Sequence, residues 1–197
     1  MSAPWIGVDP GARQTGIVMR DGPALLRWCA VDRLDIEPTA ARPGRATFTA
    51  VADVVRDWAG DGNIAIEHVQ APNPHLRRRD GSSLIDPADL IDTARMVGFL
   101  EAAFPNAVLV EPDGHGRRGL SAYPPELVTS RERAAAIRRG GLLMPAKHNP
   151  PQCHWRAAWD VAGAGPVYVL VGRGRQACRP GRGGVTDGPE GACQVVG

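Results

Sequence analysis

The strongest constraint on the fold lies in residues 5–20, W-I-G-V-D-P-G-A-R-Q-T-G-I-V-M-R. Ile6 and Val8 begin a buried strand, and the run breaks at Asp9, followed at once by Pro10 and Gly11. Pro-Gly forces a tight turn, and Gly16 opens a second apolar run through Met19, so the segment predicts a hairpin. A carboxylate that closes a buried strand is costly unless it is paired, hydrogen-bonded or bound to a cation. Asp9 is therefore either an ordinary turn aspartate or one member of a site completed elsewhere in the chain.

Two further acids are placed to complete it. Residues 64–69, I-A-I-E-H-V, form a short apolar strand that delivers Glu67 near its C-terminal end. Two strands that each end in a carboxylate point to a shared site better than either does alone. The plainer alternative puts Glu67 on the solvated face of an edge strand. Asp160 lies in a predicted helix over 152–162, where Trp155 and Trp159 stand four apart and make one face apolar. It is also one turn from Arg156, and an exposed i,i+4 pair of that kind has little energetic value. The presence of Asp9 and Glu67 puts the functional reading of Asp160 ahead.

Between these acids the chain alternates strands and helices. After a turn at Asp21-Gly22-Pro23, residues 25–31 read as a third strand with Leu26, Trp28 and Ala30 alternating, and 32–46 as a loop. Val51, Val54, Val55 and Trp58 predict a helix over 47–58, stopped by 60–63. Residues 70–85 form a polar loop carrying Arg77, Arg78 and Arg79, either a hold on a phosphate backbone or a solvated insertion. Asp86 and Pro87 are an N-cap and first helical residue, and Leu90, Ala94, Val97, Leu100 and Phe104 form the expected stripe. Gly98 on this helix would let another element, the sheet of its own chain or a second subunit, approach closely. A strand at 107–110, a loop at 115–123 with Arg117 and Arg118, and a helix at 124–139 follow. Past Gly163, residues 167–171 read as one more strand, and 172–197, rich in Gly and Arg without periodicity, as a disordered tail.

The length of 197 residues suits one domain, over 1–163, with an extension and tail over 164–197. A net charge of +2 is too small to argue for nucleic acid. Lys147 is the only lysine, and arginine suits phosphate, but a GC-rich genome gives the same bias. No apolar run reaches a membrane span and no basic-then-apolar leader opens the chain, so a cytoplasmic protein without membrane partners is expected. Cys29, Cys153, Cys178 and Cys193 lack C-x-x-C spacing and indicate neither a zinc site nor a disulfide framework.

The element order resembles the RNase H-like fold, an α/β mixed five-stranded sheet flanked by helices. Within it the chain is similar to the RuvC-like Holliday junction resolvases, particularly the phage type. Four stretches carry the resemblance: G-V-D-P-G-A-R-Q-T-G (7–16), I-A-I-E-H-V (64–69), Y-P-P-E-L-V (123–128) and H-W-R-A-A-W-D-V-A (154–162). With the element order they span residues 5–163. The resemblance implies a homodimer that cuts four-way junctions or other branched DNA, using two Mg²⁺ (or Mn²⁺) ions per active site. Asp9 would bridge the two ions, Glu67 would bind one and Asp160 the other. Arg13, Arg77, Arg78, Arg79, Arg117 and Arg118 are the candidate DNA contacts.

The residue chemistry agrees, since three hard oxygen ligands favour Mg²⁺ or Mn²⁺ over zinc. Two such ions can activate a water and stabilise the leaving 3′-oxygen in an in-line displacement at phosphorus. The chain departs from the family at Ala157, where an Asp or His ligand is usual. His154 is the nearest substitute, but on a regular helix it lies about 120° around from Asp160. It reaches the site only if the helix begins after it or bends. Two other functions remain open: a catalytically weak or inactive branched-DNA-binding protein of the same fold, and a sugar or acetate kinase-type ATPase. The last also opens on an Asp-Gly hairpin, but it normally needs a second phosphate-binding hairpin and a longer chain.

Overall fold

The computed structural model describes residues 3–60, 62–69, 86–138 and 152–176. Strands β1 (Trp5–Asp9) and β2 (Gln14–Asp21) form the predicted hairpin, with Asp9 opposite Gly16. Gly22 takes a φ of 52°, open to glycine at little cost, and turns the chain into β3 (Ala24–Asp32), antiparallel to β2. A parallel partner for β1 needs a crossover, which α1 (Arg33–Ile36) and α2 (Arg45–Ala59) supply before β4 (Asn63–Glu67). After α3 (Pro87–Ala103), β5 (Val108–Val110) adds in parallel to β4. The sheet order is β3-β2-β1-β4-β5, the mixed five-stranded sheet of an α/β RNase H-like fold. Val8 pairs with Ile66, and the next residue on each strand is its acid, Asp9 or Glu67.

Helices cover both faces of the sheet. The α2 side chains Phe48, Val51, Ala52 and Val55 bury against Ile6, Val8, Ile17 and Ile66, with Met96 and Leu100 of α3 closing that layer. The opposite face is covered by α5 (Gln152–Gln176), with Ala158, Trp159 and Val161 buried over the sheet. The contact between α5 and β1 depends on Gly7. A Cβ there would collide with the Ala158 carbonyl and lie 2.6 Å from the Ala162 amide nitrogen.

Several boundaries differ from expectation, each for an identifiable reason. The 32–46 loop contains α1, whose N-cap Asp32 accepts from the Leu34 amide at 2.9 Å. In α3, Asp86 is the N-cap as expected, accepting from the Ala88 amide at 2.9 Å. The buried face, however, is Asp92, Met96, Val97 and Leu100, and Ala94 is exposed. Asp92 turns inward because Arg42 and Arg95 pair with it at 3.0 and 3.4 Å. Gly98 is exposed, and a Cβ on it would meet nothing within 4 Å among the described residues, so the chain's own sheet does not approach it.

The helix expected over 124–139 is a 3₁₀ turn, Pro125–Leu127, followed by α4 (Ser130–Arg138). Thr129 and Glu132 separate them as a capping box. The Glu132 amide donates to the Thr129 hydroxyl at 3.0 Å, and the Thr129 amide to the Glu132 carboxylate at 3.1 Å. The strand expected over 167–171 is instead the continuation of α5, through Gly163, Gly165 and Pro166. Gly165 lies where a Cβ would strike the Trp5 ring, so the packing of Trp5 on the helix outweighs weak local propensity. Arg156 does not pair with Asp160. It is fully buried and bonds Glu132 at 3.1 Å and the Leu127 carbonyl at 3.2 Å. The first part of the expected tail, 172–176, is helical too, as the end of α5, while Arg77, Arg78, Arg79 and the rest of the tail, 177–197, lie outside the described residues.

Candidate active site

Register brings Asp9 and Glu67 to the same end of neighbouring parallel strands, close enough that each carboxyl shifts the titration of the other. Each also holds a histidine. His154 Nδ1 is 2.7 Å from Asp9 Oδ2, and His115 Nδ1 is 2.9 Å from Glu67 Oε1. Helix α5 begins at Gln152, ahead of His154, and neither of the two expected routes is needed. His154 simply faces the sheet, where its backbone sits against Gly16 and its ring edge near Gly11, both positions that a Cβ would crowd.

Asp160, on another side of the same helix, faces the loop that follows β5. It accepts from the Gly116 amide at 2.9 Å and the Tyr123 hydroxyl at 2.9 Å, and it forms an ion pair with Arg118. Gly116, at a φ of 76°, fits because it packs on Cys153 and Ala157 of α5 with no side chain between. The structure therefore joins Asp9, Glu67 and His154, and holds Asp160 in an adjoining set of donors. His115 links the two, bonded to Glu67 and within electrostatic range of Asp160.

The electrostatics follow from burial. Burial pushes the Asp9 carboxyl up to about 7, the His154 contact opposing this and the negative charge of Glu67 adding to it. Burial also raises Glu67, but hydrogen bonds from His115 and Asp9 outweigh it and leave Glu67 below the ordinary carboxylate range. Asp9 therefore keeps its proton to a higher pH than an ordinary aspartate, while Glu67 gives its own up at a lower one. His115 is raised by its bond to Glu67 against partial burial. Burial lowers His154, yet the bond and charge of Asp9 carry it above the ordinary value. Burial and the neighbouring charge of Asp160 push the Tyr123 phenol up to about 12, so it remains a donor to Asp160.

Among the described residues, no three histidine, cysteine or acidic side chains are grouped as a metal site. The donors nonetheless fit a hard divalent cation at Asp9 and Glu67. A buried carboxyl and a half-buried one at neighbouring strand ends offer a pair of hard oxygens at which such an ion would replace the proton on Asp9. Asp160 does not fit as it stands, because Gly116, Tyr123 and Arg118 occupy its oxygens. Of the candidate DNA contacts, Arg13 and Arg117 are exposed and Arg118 is committed to Asp160. His115 was not legible as a site residue, since a lone histidine in a Gly-rich loop carries no pattern. Its spacing five residues after Val110, the end of a strand beside β4, was the available signal.

No protein-family model matches the chain, and no curated protein matches it in sequence. Among solved structures it is similar to Thermus thermophilus RuvC in complex with a Holliday junction substrate. That match has 16% identity over 86% of this chain and 96% of that one, with a TM-score of 0.46. A second Thermus thermophilus RuvC structure matches at 17% identity over the same shares, with a TM-score of 0.45. A ROK hexokinase from Thermus thermophilus matches at 19% identity over 55% of this chain and 35% of that one, with a TM-score of 0.32. The strand order and register, rather than these likenesses, carry the fold assignment.

Proposed function

We propose that the chain is a metal-dependent, structure-selective endodeoxyribonuclease acting as a homodimer on four-way junctions or other branched DNA. The observation that carries this reading is the convergence of Asp9 and Glu67 at one sheet end, each oriented by a histidine. Asp9 and Glu67 would hold a Mg²⁺ or Mn²⁺ ion, which supplies Lewis acidity at the scissile phosphate and a more acidic bound water. His154 and His115 fix the rotamers of those carboxylates, as partners behind metal ligands commonly do. A second ion at Asp160 requires Arg118 to release that carboxylate. The same ion pair, with Ala157 in place of a ligand, favours the alternative of a catalytically weak or inactive branched-DNA-binding protein.

The test is incubation of a four-way junction and a matched duplex with Mg²⁺, with Mn²⁺ and with EDTA. Symmetric nicks in the junction alone, dependent on metal, are expected. Asp9→Asn should abolish cleavage and leave junction binding intact or, above about pH 7, tighter, because it removes a ligand and, once Asp9 is ionised, a charge that repels phosphate. Full activity in that variant would refute the proposed chemistry. Binding without nicks in either metal would select the alternative.

A further inference from the structure

An open cleft of about 890 Å³ lies between β2, the start of β3, the 113–126 segment and α5, reaching the site through His115 and Asp160. Two arginines meet in it. The Arg20 guanidinium stacks 3.8 Å from the centroid of the Trp159 ring, donates to the Gly22 carbonyl at 2.7 Å and to the Trp159 carbonyl at 3.1 Å. Of the five N–H groups of a guanidinium, those two bonds leave three without a protein acceptor among the described residues. Arg118 lies 5.2 Å from the centroid of the Tyr123 ring and reaches Asp160.

The two cations are close enough that, after burial, the charge of Arg118 is the main influence lowering the pKa of Arg20. Holding two guanidinium groups in one cleft is unfavourable by itself; Asp160 offsets this at Arg118, which it bonds and whose pKa it raises, but only in part at Arg20. Asp113 and Glu126 also line the cleft, but both are exposed at its rim, where solvent screens them. An anion with oxygens presented to both arginines relieves the repulsion and fills the free donors.

We propose that this cleft binds a backbone phosphate of the DNA strand, with Arg20 as the anchored contact and Arg118 as the one that leaves Asp160 to join it. The proposal rests on the nuclease reading and adds the residue that positions the strand beside Asp9 and Glu67. Gly163 provides a way to test it without changing charge. A Cβ at 163 would lie 2.7 Å from an Arg20 terminal nitrogen and push the guanidinium off its seat, while alanine favours the helix.

The experiment measures junction binding by fluorescence anisotropy in EDTA across a salt series, for the unmodified protein, Arg20→Gln and Gly163→Ala. Each phosphate contact contributes about 0.9 to the slope of log affinity against log salt, so Arg20→Gln should flatten the slope by about one. Its affinity should fall roughly ten- to a hundredfold, the scale of one charge-assisted hydrogen bond. Gly163→Ala should keep or raise the thermal midpoint and still weaken binding several-fold. No junction binding by the unmodified protein would overturn the nuclease reading and the cleft together. Binding with an unchanged slope in Arg20→Gln, or an unchanged affinity in Gly163→Ala if the glutamine variant fails to fold, would overturn the cleft alone.

Discussion

The proton held by Asp9 makes stability depend on pH in a direction opposite to that of most aspartates. Its carboxyl has an ordinary value of 3.8 and is pushed up to about 7, chiefly by burial. The unfolded chain gives up that proton near pH 4, while the folded protein keeps it to about pH 7. Stability is therefore whole below pH 4, falls through the interval and levels off above it. About three pKa units, at about 1.4 kcal/mol each, put the loss near 4 kcal/mol. The raised His154 acts in the same sense, its contribution being lost as pH climbs through its folded value. Lowered Glu67 acts oppositely, contributing above its unfolded value and losing that as pH falls through its folded one.

Asp9→Asn removes the titrating group but keeps an amide able to hydrogen-bond His154. In EDTA at pH 8 it should be more stable than the unmodified protein by up to about 4 kcal/mol, and the gap should close toward pH 4. For a chain of this size that is an increase of about 10 °C in thermal midpoint. Added Mg²⁺ should raise the midpoint of the unmodified protein and leave the asparagine variant where it is. Calorimetric melts at half-unit steps from pH 4 to 9 measure the difference directly. A gap that is negative at pH 8, or that does not change with pH, would refute the account of Asp9 as a buried carboxyl poised for a cation.

Two structural predictions accompany it. Gly7→Ala drives a methyl into the Ala158 carbonyl and should cost about 3 kcal/mol or more, read as a fall in urea midpoint at unchanged m-value. Glu132→Ala leaves the fully buried Arg156 uncompensated and should cost roughly 3–5 kcal/mol. The double variant Glu132→Leu, Arg156→Met should be nearer the parent than Glu132→Ala, and equal losses in the two would refute the reading of Arg156 as a partner-dependent buried charge.

Much of the fold was legible because its signals are local. A run broken by Asp-Pro-Gly specifies a hairpin, and Asp86-Pro87 specifies a helix start, whatever lies around them. The errors came where distant residues decided. Gly163, Gly165 and Pro166 look like the end of a helix until the Trp5 ring is seen to need that space. Asp92 lies off the expected apolar stripe of its helix, and its burial follows only from Arg42, fifty residues earlier, beside it. The carboxylate pair was legible because a parallel register needs only two strand ends. The surroundings of Asp160 were not, since they depend on how the 113–123 segment folds back on α5.

The intimate seat of β1 on α5 also divides the site mechanically. Strand and helix are in close contact at Gly7, and the bond from His154 to Asp9 spans the same junction. The partners of Asp160 come from an irregular segment with two glycines at positive φ, Gly114 and Gly116. On the proposed function, adjustment to differently bent strands would fall to that glycine-bearing segment, with the junction of β1 and α5 as its anvil.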